Sequence, residues 1–290
     1  MPLVHPTGPA EPLVAPALLA AFDGWVDAAG ASTAAAARIA DGGRILATFD
    51  ADALYDYRAR RPVLDVVDGV LTQLTWPDLT LKHVHVDGRD ILVLHGPEPD
   101  FRWRELAQEI LELCLRLGVV EWVSLGSIPA AVPHTRPVPV MVTASKPGLL
   151  GEDEQQGPPG LLRVPSATLS AIELTVSGGG VPAVGFFAQV PHYVTGPFAA
   201  GSITLLEHAG RHLGVEFALG TLPDEAMSQR ERLDSVVAQD ADSKAYVERL
   251  EALMDEERLP TGDDLAAEVE RFLRDNGRGD GGTQPGPLGG

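Results

Sequence analysis

Four side chains with acid–base chemistry follow segments that the sequence predicts to be strands. Asp23 and Glu98 carry carboxyl groups, and His134 and His192 carry imidazoles. In an open α/β sheet, ligands bind where parallel strands end, so these side chains converge on one edge if their strands run parallel. Glu98 could then act as a general base, with Asp23 or His134 as its partner. The sequence therefore allows a hydrolase or a small-molecule binding site at this edge.

A structural interpretation of the same carboxylates is favoured here. Acidic side chains at strand-to-helix turns commonly accept hydrogen bonds from the free amides of the following helix. Under this interpretation Asp23 and Glu98 cap the helices that come after them. No catalytic residue is assigned, and whether the protein is an enzyme is left open, with a non-enzymatic role favoured.

Arginines form the densest basic cluster of the sequence at Arg58, Arg60 and Arg61. They could clamp an anion or a carboxylate; ion pairs to nearby acids, within the chain or across a subunit contact, are the favoured alternative. Arg136 lies in a segment stiffened by prolines, which could orient its guanidinium or hold an oligomer together. The candidate binding residues are Trp25, Arg58, Arg60, Arg61, Trp103 and Arg136.

Nucleophile, phosphate and metal motifs are missing from the sequence. Ser124 and Ser127 lie near a glycine but do not form G-x-S-x-G, and no G-x-x-x-x-G-K-[ST] loop occurs. Cys114 falls on the apolar side of a predicted helix and is assigned to the core. His208 and His212 are four residues apart, but no third metal ligand is placed beside them. No cofactor and no metal are predicted.

The composition restricts the partners and the compartment. A formal net charge of −19 over 290 residues disfavours nucleic acid and anionic membranes as partners and favours a basic protein surface. One cysteine fits a reducing compartment. The N-terminal residues lack the pattern of a secretory signal, and no apolar run is long enough to span a membrane. We expect a soluble cytoplasmic protein.

The predicted elements alternate between strands and helices. A continuous apolar run at 15–22, an alanine-rich helix at 25–40 and a strand at 44–49 give a β-α-β start. Asp68-Gly69 and Asp87-Gly88 each lie between apolar segments and predict two hairpins, which makes the sheet mixed. The remaining predicted elements are helices at 102–117, 165–176 (capped by Ser166 or Thr168) and 202–213, and strands at 119–125, 138–144 and 181–190.

Four regions follow from this pattern. Residues 1–12 are expected to be a flexible N-terminus and 13–222 an α/β domain. Residues 223–275 are expected to be an acidic helical extension, and 276–290 a disordered tail. Three helices are predicted in the extension, at about 224–237, 243–257 and 264–275. Their apolar stripes include Tyr246, Leu250 and Leu253 in the second helix, and Leu265, Val269 and Phe272 in the third.

Several segments, taken in order, resemble the proteasome assembly chaperone 2 family in its actinobacterial branch, which carries a C-terminal helical extension. The resemblance covers roughly residues 13–275. The segments are FDGWVDAAG (22–30), DYRARRP (56–62), GPEPDFRW (96–103), LGSIP (125–129) with VPHTRPVPV (132–140), and VPHYV (190–194).

This resemblance implies a three-layer α/β/α sandwich of the phosphorylase/hydrolase-like group, with a mixed sheet, and an oligomer for which a trimer is plausible. It implies no established reaction. Some relatives end in a hydrophobic-Tyr-any tail that docks on a proteasome ring, whereas this sequence ends Leu288-Gly289-Gly290. The expected function is a non-enzymatic, assembly-chaperone-like interaction module that binds itself and another protein.

Overall fold

The computed structural model describes residues 1–8, 12–151 and 160–257. In these ranges the chain forms ten strands and seven α-helices. The strands are β1 (Val4–Pro6), β2 (Ala17–Phe22), β3 (Arg44–Phe49), β4 (Val63–Val67), β5 (Val70–Thr75), β6 (Thr80–Val86), β7 (Arg89–Gly96), β8 (Glu121–Ala130), β9 (Val140–Ala144) and β10 (Ala183–Pro191). The helices are α1 (Ala31–Ile39), α2 (Ala51–Leu54), α3 (Trp103–Leu117), α4 (Thr168–Gly178), α5 (Ala199–Leu213), α6 (Leu222–Ala238) and α7 (Ala241–Glu257).

Eight strands form one mixed sheet in the order β1-β3-β6-β7-β2-β8-β10-β9. The four central strands β7, β2, β8 and β10 run parallel, and the flanking strands pair antiparallel. All six residues of β2 are buried, as the continuous apolar run predicts for a strand covered on both faces. The four parallel strands end at the same side of the sheet, which is called the carboxyl edge below.

Helices cover both faces of this sheet. On β2, Leu18 and Phe22 pack with Trp122 under α3 and α4. The alternate residue Leu19 packs with Val123 under α1 and α5. This alternation follows from the two-residue period of a strand. The expected three-layer α/β/α sandwich with a mixed sheet is confirmed.

The N-terminus is part of the sheet. The backbone N–H groups of Leu3 and Val4 donate to the Glu109 carboxylate on α3 at 2.8–2.9 Å, Leu3 is fully buried, and β1 pairs with β3. The flexible N-terminus expected over 1–12 is therefore corrected for residues 3–6. Its anchor is a carboxylate more than a hundred residues away, which no local pattern reveals.

Two helices begin later than predicted. The helix expected from residue 25 begins at Ala31, because Ala29 and Gly30 adopt left-handed conformations with φ of 53° and 63°. The Asp27 carboxylate caps it by accepting the amides of Ser32 and Thr33 at 2.9 and 3.2 Å. The helix expected from residue 165 begins at Thr168.

The first hairpin lies outside the main sheet. β4 and β5 pair only with each other, and every residue of both strands is exposed. Only the second hairpin, β6–β7, contributes to the mixed sheet. The turn chemistry predicted both hairpins correctly, since Asp68 and Asp87 have φ of 50° and 49° before their glycines.

The first two predicted C-terminal helices are present as α6 and α7. Leu222 and Gln229 of α6 are buried, and α7 buries Val247, Leu250 and Met254. Leu253, assigned to the apolar stripe, is instead 53% exposed. The predicted third helix at 264–275 and tail at 276–290 lie outside the described residues. No helix in the described ranges is long and apolar enough to cross a membrane.

Candidate functional site

The carboxyl edge brings the predicted acid–base residues to one side of the sheet. Asp23 follows β2, Glu98 follows β7 and His192 follows β10, and these strands run parallel through β8. His134 lies in the loop after β8. Within this edge the residues form two groups. Asp23 and Glu98 are joined by a hydrogen bond, whereas His134 and His192 contact side chains of α6 and α7.

Asp23 uses both carboxylate oxygens to hold neighbouring segments. Its Oδ1 accepts the backbone N–H of Glu98 at 2.9 Å, which ties the ends of β2 and β7 together. Its Oδ2 accepts from Nη1 of Arg60 at 2.7 Å. The side chains of this ion pair are 40% and 30% exposed. Asp23 therefore caps no helix, and the cap of α1 is Asp27.

Glu98 caps a distant helix. Its Oε1 accepts the backbone N–H of Thr168, the first residue of α4, at 2.7 Å, and its Oε2 lies 3.4 Å from the amide nitrogen of Trp25. A Cβ added to Gly24 would lie 2.9 Å from this Oε2, and Gly24 has a φ of 102°, so glycine suits the turn. The predicted capping role is present, although α3, the helix that follows Glu98, is not its target.

The three clustered arginines differ in their surroundings. Arg60 forms the ion pair with Asp23, whereas Arg58 and Arg61 are exposed and form no ion pair with any described residue. Arg60 is thus engaged within the chain, and the clamp of three guanidinium groups stays a prediction. Two positive charges are left at the surface beside the β4–β5 hairpin.

His134 is buried in a network that connects the loop after β8 to α6. The Tyr193 hydroxyl oxygen accepts the backbone N–H of His134 at 2.8 Å and lies 2.7 Å from its Nδ1. His134 Nε2 lies 3.1 Å from Oδ1 of Asp234. Burial lowers the pKa of His134, and Asp234 opposes this shift. With the side chain 1% exposed, both imidazole nitrogens are already bonded.

His192 and Arg136 attach the same region to α7. His192 Nδ1 lies 3.2 Å from the carbonyl of Ala130, and its Nε2 lies 3.4 Å from the Tyr246 hydroxyl. Arg136 donates from Nε and Nη2 to the two carboxylate oxygens of Asp255 at 3.0 and 2.8 Å. Nη1 of Arg136 also donates to Glu251 at 3.3 Å. The loop after β8 (residues 131–139), called the proline-rich loop below, therefore holds α6 and α7 of its own chain.

The described residues include a cavity of about 530 Å³ between this loop, α5 and α6. Val138, Phe198 and Leu233 form apolar walls, and Arg136 and Arg230 lie at its side. His134 also lines it, but Asp23, Glu98 and His192 do not. The four candidate catalysts thus do not surround one hollow. Within the described ranges, no group of three His, Cys, Asp or Glu is arranged to hold a metal ion.

The two candidate tryptophans differ in their surroundings. Trp103 is half-buried and donates from Nε1 to the carbonyl of Pro99 at 2.6 Å, which fixes the turn before α3. Trp25 is 61% exposed. Trp103 thus serves the fold, while Trp25 remains available at the surface.

Sequence reasoning placed the hairpin β4–β5 in the mixed sheet and missed that its apolar residues are exposed. The rings of Tyr57 and Trp76 pack at its base, with centroids 4.7 Å apart. No local signal marks it as exposed, because strands buried on both faces of a sheet are equally rich in aliphatic residues. The exposed apolar residues of the hairpin are Val63, Leu64, Val66, Val67, Val70, Leu71 and Leu74, each 45–69% exposed.

The comparisons with known proteins agree on one family. The family model described as PAC2 family matches residues 21–237. A PAC2 family protein from Streptomyces avermitilis is 34% identical, with a TM-score of 0.72, and the match covers 80% of this chain and 99% of that one. Among curated proteins, none matches this chain.

Two further solved structures are similar. A proteasome-assembly chaperone homologue from Mycobacterium tuberculosis is 35% identical, with a TM-score of 0.73 and coverage of 80% of this chain and 99% of that one. A protein of unknown function from Corynebacterium glutamicum is 27% identical, with a TM-score of 0.82 and coverage of 88% and 97%. By the extent of the family match and by its resemblance to these structures, the chain belongs to the PAC2 family.

Proposed function

We propose that this protein is a non-enzymatic, assembly-chaperone-like interaction module of the cytoplasm that associates with further copies of itself and with another protein. One contrast carries the proposal. The predicted acid–base residues are bonded to backbone and to neighbouring helices, while an aliphatic hairpin faces solvent. An exposed apolar patch that extends over both strands of a hairpin is typical of protein contacts.

The hydrogen bonds of the carboxyl edge argue against a catalytic role. A general base must reach its substrate, but Glu98 is held in place as the cap of α4, and Asp23 is held by Arg60 and the Glu98 amide. Moving either carboxylate toward a substrate would break these bonds, each worth about 1 kcal/mol or more to stability. Their geometry supports a structural role.

Family membership supports the protein partner. The similar chain from Mycobacterium tuberculosis is a proteasome-assembly chaperone homologue, and the proposal extends a role in assembly, through contacts with other chains, to this protein. The charge of −19 favours a partner with a basic surface. The predicted absence of nucleic-acid and membrane partners follows from the same charge.

A small-molecule binding protein is the second candidate, and the cavity beside His134 is the observation that favours it. Its volume of about 530 Å³ lies within the roughly 300–1,000 Å³ of ligand clefts. It lies beside the β8 and β10 ends of the carboxyl edge, away from Asp23 and Glu98.

Light scattering on the full chain, followed by affinity capture from the source cell, tests the proposal. We expect a particle mass that is a multiple of 30.7 kDa at micromolar concentration and one recurrent protein partner. Asp23→Asn with Glu98→Gln should leave capture intact. A monomer that captures no protein but retains a small molecule in native mass spectrometry would refute the module and favour the second candidate.

A further inference from the structure

The residues just before helix α4 form an exposed stretch without regular secondary structure. Residues 161–166 are all exposed, and none of residues 161–167 belongs to a helix or a strand. Pro165 fixes its own backbone angle and directs Val164 toward an extended conformation. The stretch carries an arginine, Arg163, three residues before a serine, Ser166. An enzyme that binds its substrate as an extended chain therefore has access to both side chains.

The spacing of Arg163 and Ser166 fits an enzyme that reads charge on its substrate. Kinases select substrates by their charge pattern, and one class of serine/threonine kinases uses carboxylates to bind an arginine three residues before the acceptor hydroxyl. In an extended chain these two positions lie about 10 Å apart, so the guanidinium stays clear of the reacting oxygen. Arg163 is exposed and forms no ion pair with any described residue, which leaves its charge available to such an enzyme.

A second serine has the same sequence pattern in a different conformation. Ser235 follows Arg232 by three residues, but both lie inside α6. In a helix, residues three apart lie about 5–6 Å from each other on one face. An enzyme that binds an extended chain would therefore have to unwind α6 before it could modify Ser235. The fold thus distinguishes two serines that the local sequence does not.

The first turn of α4 has no capping group of its own. Its N-cap residue, Ala167, has no polar side chain, and the turn contains no acidic residue. Glu98 supplies the missing acceptor by taking the backbone N–H of Thr168 at 2.7 Å. A phosphate on Ser166 would bring a charge of about −1.5 to −2 and strong acceptor oxygens to the same helix end. Two anionic groups would then compete for the first amides of α4.

We propose that Ser166 is a phosphorylation site for a serine/threonine kinase that recognises Arg163, and that the phosphate replaces Glu98 as the cap of α4. In this step the Ser166 hydroxyl oxygen bonds to the γ-phosphorus of ATP and the bond from that phosphorus to the β–γ bridging oxygen breaks. ADP leaves, and the hydroxyl proton passes to the catalytic aspartate of the kinase. Release of Glu98 also loosens the turn after β2, because Oε2 of Glu98 lies 3.4 Å from the amide nitrogen of Trp25. The inference goes beyond the proposed function and does not depend on it.

Phosphorylation of the folded full chain tests the site. The probe is the catalytic subunit of cAMP-dependent protein kinase with Mg-ATP, and mass spectrometry maps the modified residue. Thr261 also follows an arginine by three residues and lies outside the described residues, so every variant carries Thr261→Ala. We expect phosphate on Ser166, its loss in Ser166→Ala, and a rate about tenfold or more lower in Arg163→Ala, because one charge-assisted contact is lost. Ser235 should stay unmodified until the chain is unfolded.

The exchange of caps is tested with Glu98→Ala in the unmodified and the phosphorylated protein. In the unmodified protein the substitution removes the cap and lowers the melting temperature. In the protein phosphorylated on Ser166 it should lower the melting temperature by less than about half as much, because the phosphate already caps α4. Asp27→Ala is the matched control: Asp27 caps α1, so its loss should lower the melting temperature equally in both forms.

Each measurement has a result that overturns the inference. No phosphate on Ser166, phosphate on Ser235 of the folded chain, or a rate that Arg163→Ala leaves unchanged would refute the recognition. An equal effect of Glu98→Ala in both forms would refute the exchange of caps. Protein isolated from the source cell should carry phosphate on Ser166, and its absence in both growing and starved cells would show that the site is not used.

Discussion

Helix α7 offers a direct test of the packing, because it carries two leucines in opposite surroundings. Leu250 is 3% exposed and lies with Val247 and Met254 on the buried side of the helix, whereas Leu253 is 53% exposed. Leu250→Ala and Leu253→Ala make the same chemical change and the same change in helix propensity. Any difference between the two variants therefore reports burial.

The expected cost follows from the buried side chain. A fully buried Leu→Ala change costs about 2–5 kcal/mol, and near the middle of this range, about 3 kcal/mol, it weakens the closed state of α7 roughly 150-fold. Leu253→Ala should change stability by less than about 0.5 kcal/mol. Arg136 attaches α7 to the loop after β8 through hydrogen bonds to Asp255. Because this attachment does not involve the strands of the sheet, α7 can detach while the sheet stays folded.

Hydrogen exchange of the amides of 241–257 measures this opening directly. In Leu250→Ala we expect these amides to lose protection while those of the central strand β2 keep theirs; in Leu253→Ala neither should change. Equal loss of protection in both variants would refute the assignment of the buried side of α7. A loss that extends equally to β2 would refute the local opening.

Three further predictions follow from the buried polar groups and the carboxyl edge. Burial raises the pKa of Glu173, so the ionised carboxylate costs stability at neutral pH; Glu173→Gln, which keeps an acceptor for Ser124, should raise the melting temperature at pH 7. The gain should vanish below about pH 4, where both states are protonated, and a gain independent of pH would contradict it. Glu98→Ala should cost about 1 kcal/mol in urea unfolding through loss of the α4 cap, and unchanged stability would show that the cap is dispensable. Gly24→Ala should cost more than about 1 kcal/mol, because of the positive φ and the close Glu98 oxygen; a stable variant would show that the turn relaxes.

Local patterns predicted much of the fold. The continuous apolar run before Asp23 correctly indicated a strand covered on both faces, and each Asp-Gly pair marked a hairpin turn. Gly118 ended α3 with a φ of 70°. These features depend on residues within a few positions of each other, so a single sequence contains them.

Long-range partners could not be predicted in the same way. Arg60 reaches Asp23 across 37 residues, Glu98 reaches Thr168 across 70, and His134 reaches Asp234 across 100. The start of α1 was missed because Ala29 takes a left-handed conformation that alanine rarely adopts. The surroundings of His83 and His85 were likewise not predicted: both bond to Asp90, a carboxylate on the neighbouring strand.

The acidic pair at the carboxyl edge has a consequence for how the chain acquires its structure. Asp23 and Glu98 join four stretches of backbone that are remote in sequence: the turn after β2, the loop that carries Arg60, the segment after β7 and the start of α4. These bonds can form only once β2 and β7 lie side by side, so this corner should close late in folding and as a unit. Each of the two carboxylates should therefore tolerate substitution less than its exposure alone would suggest, since Asp23 holds Arg60 and the Glu98 amide, and Glu98 holds the amides of Trp25 and Thr168.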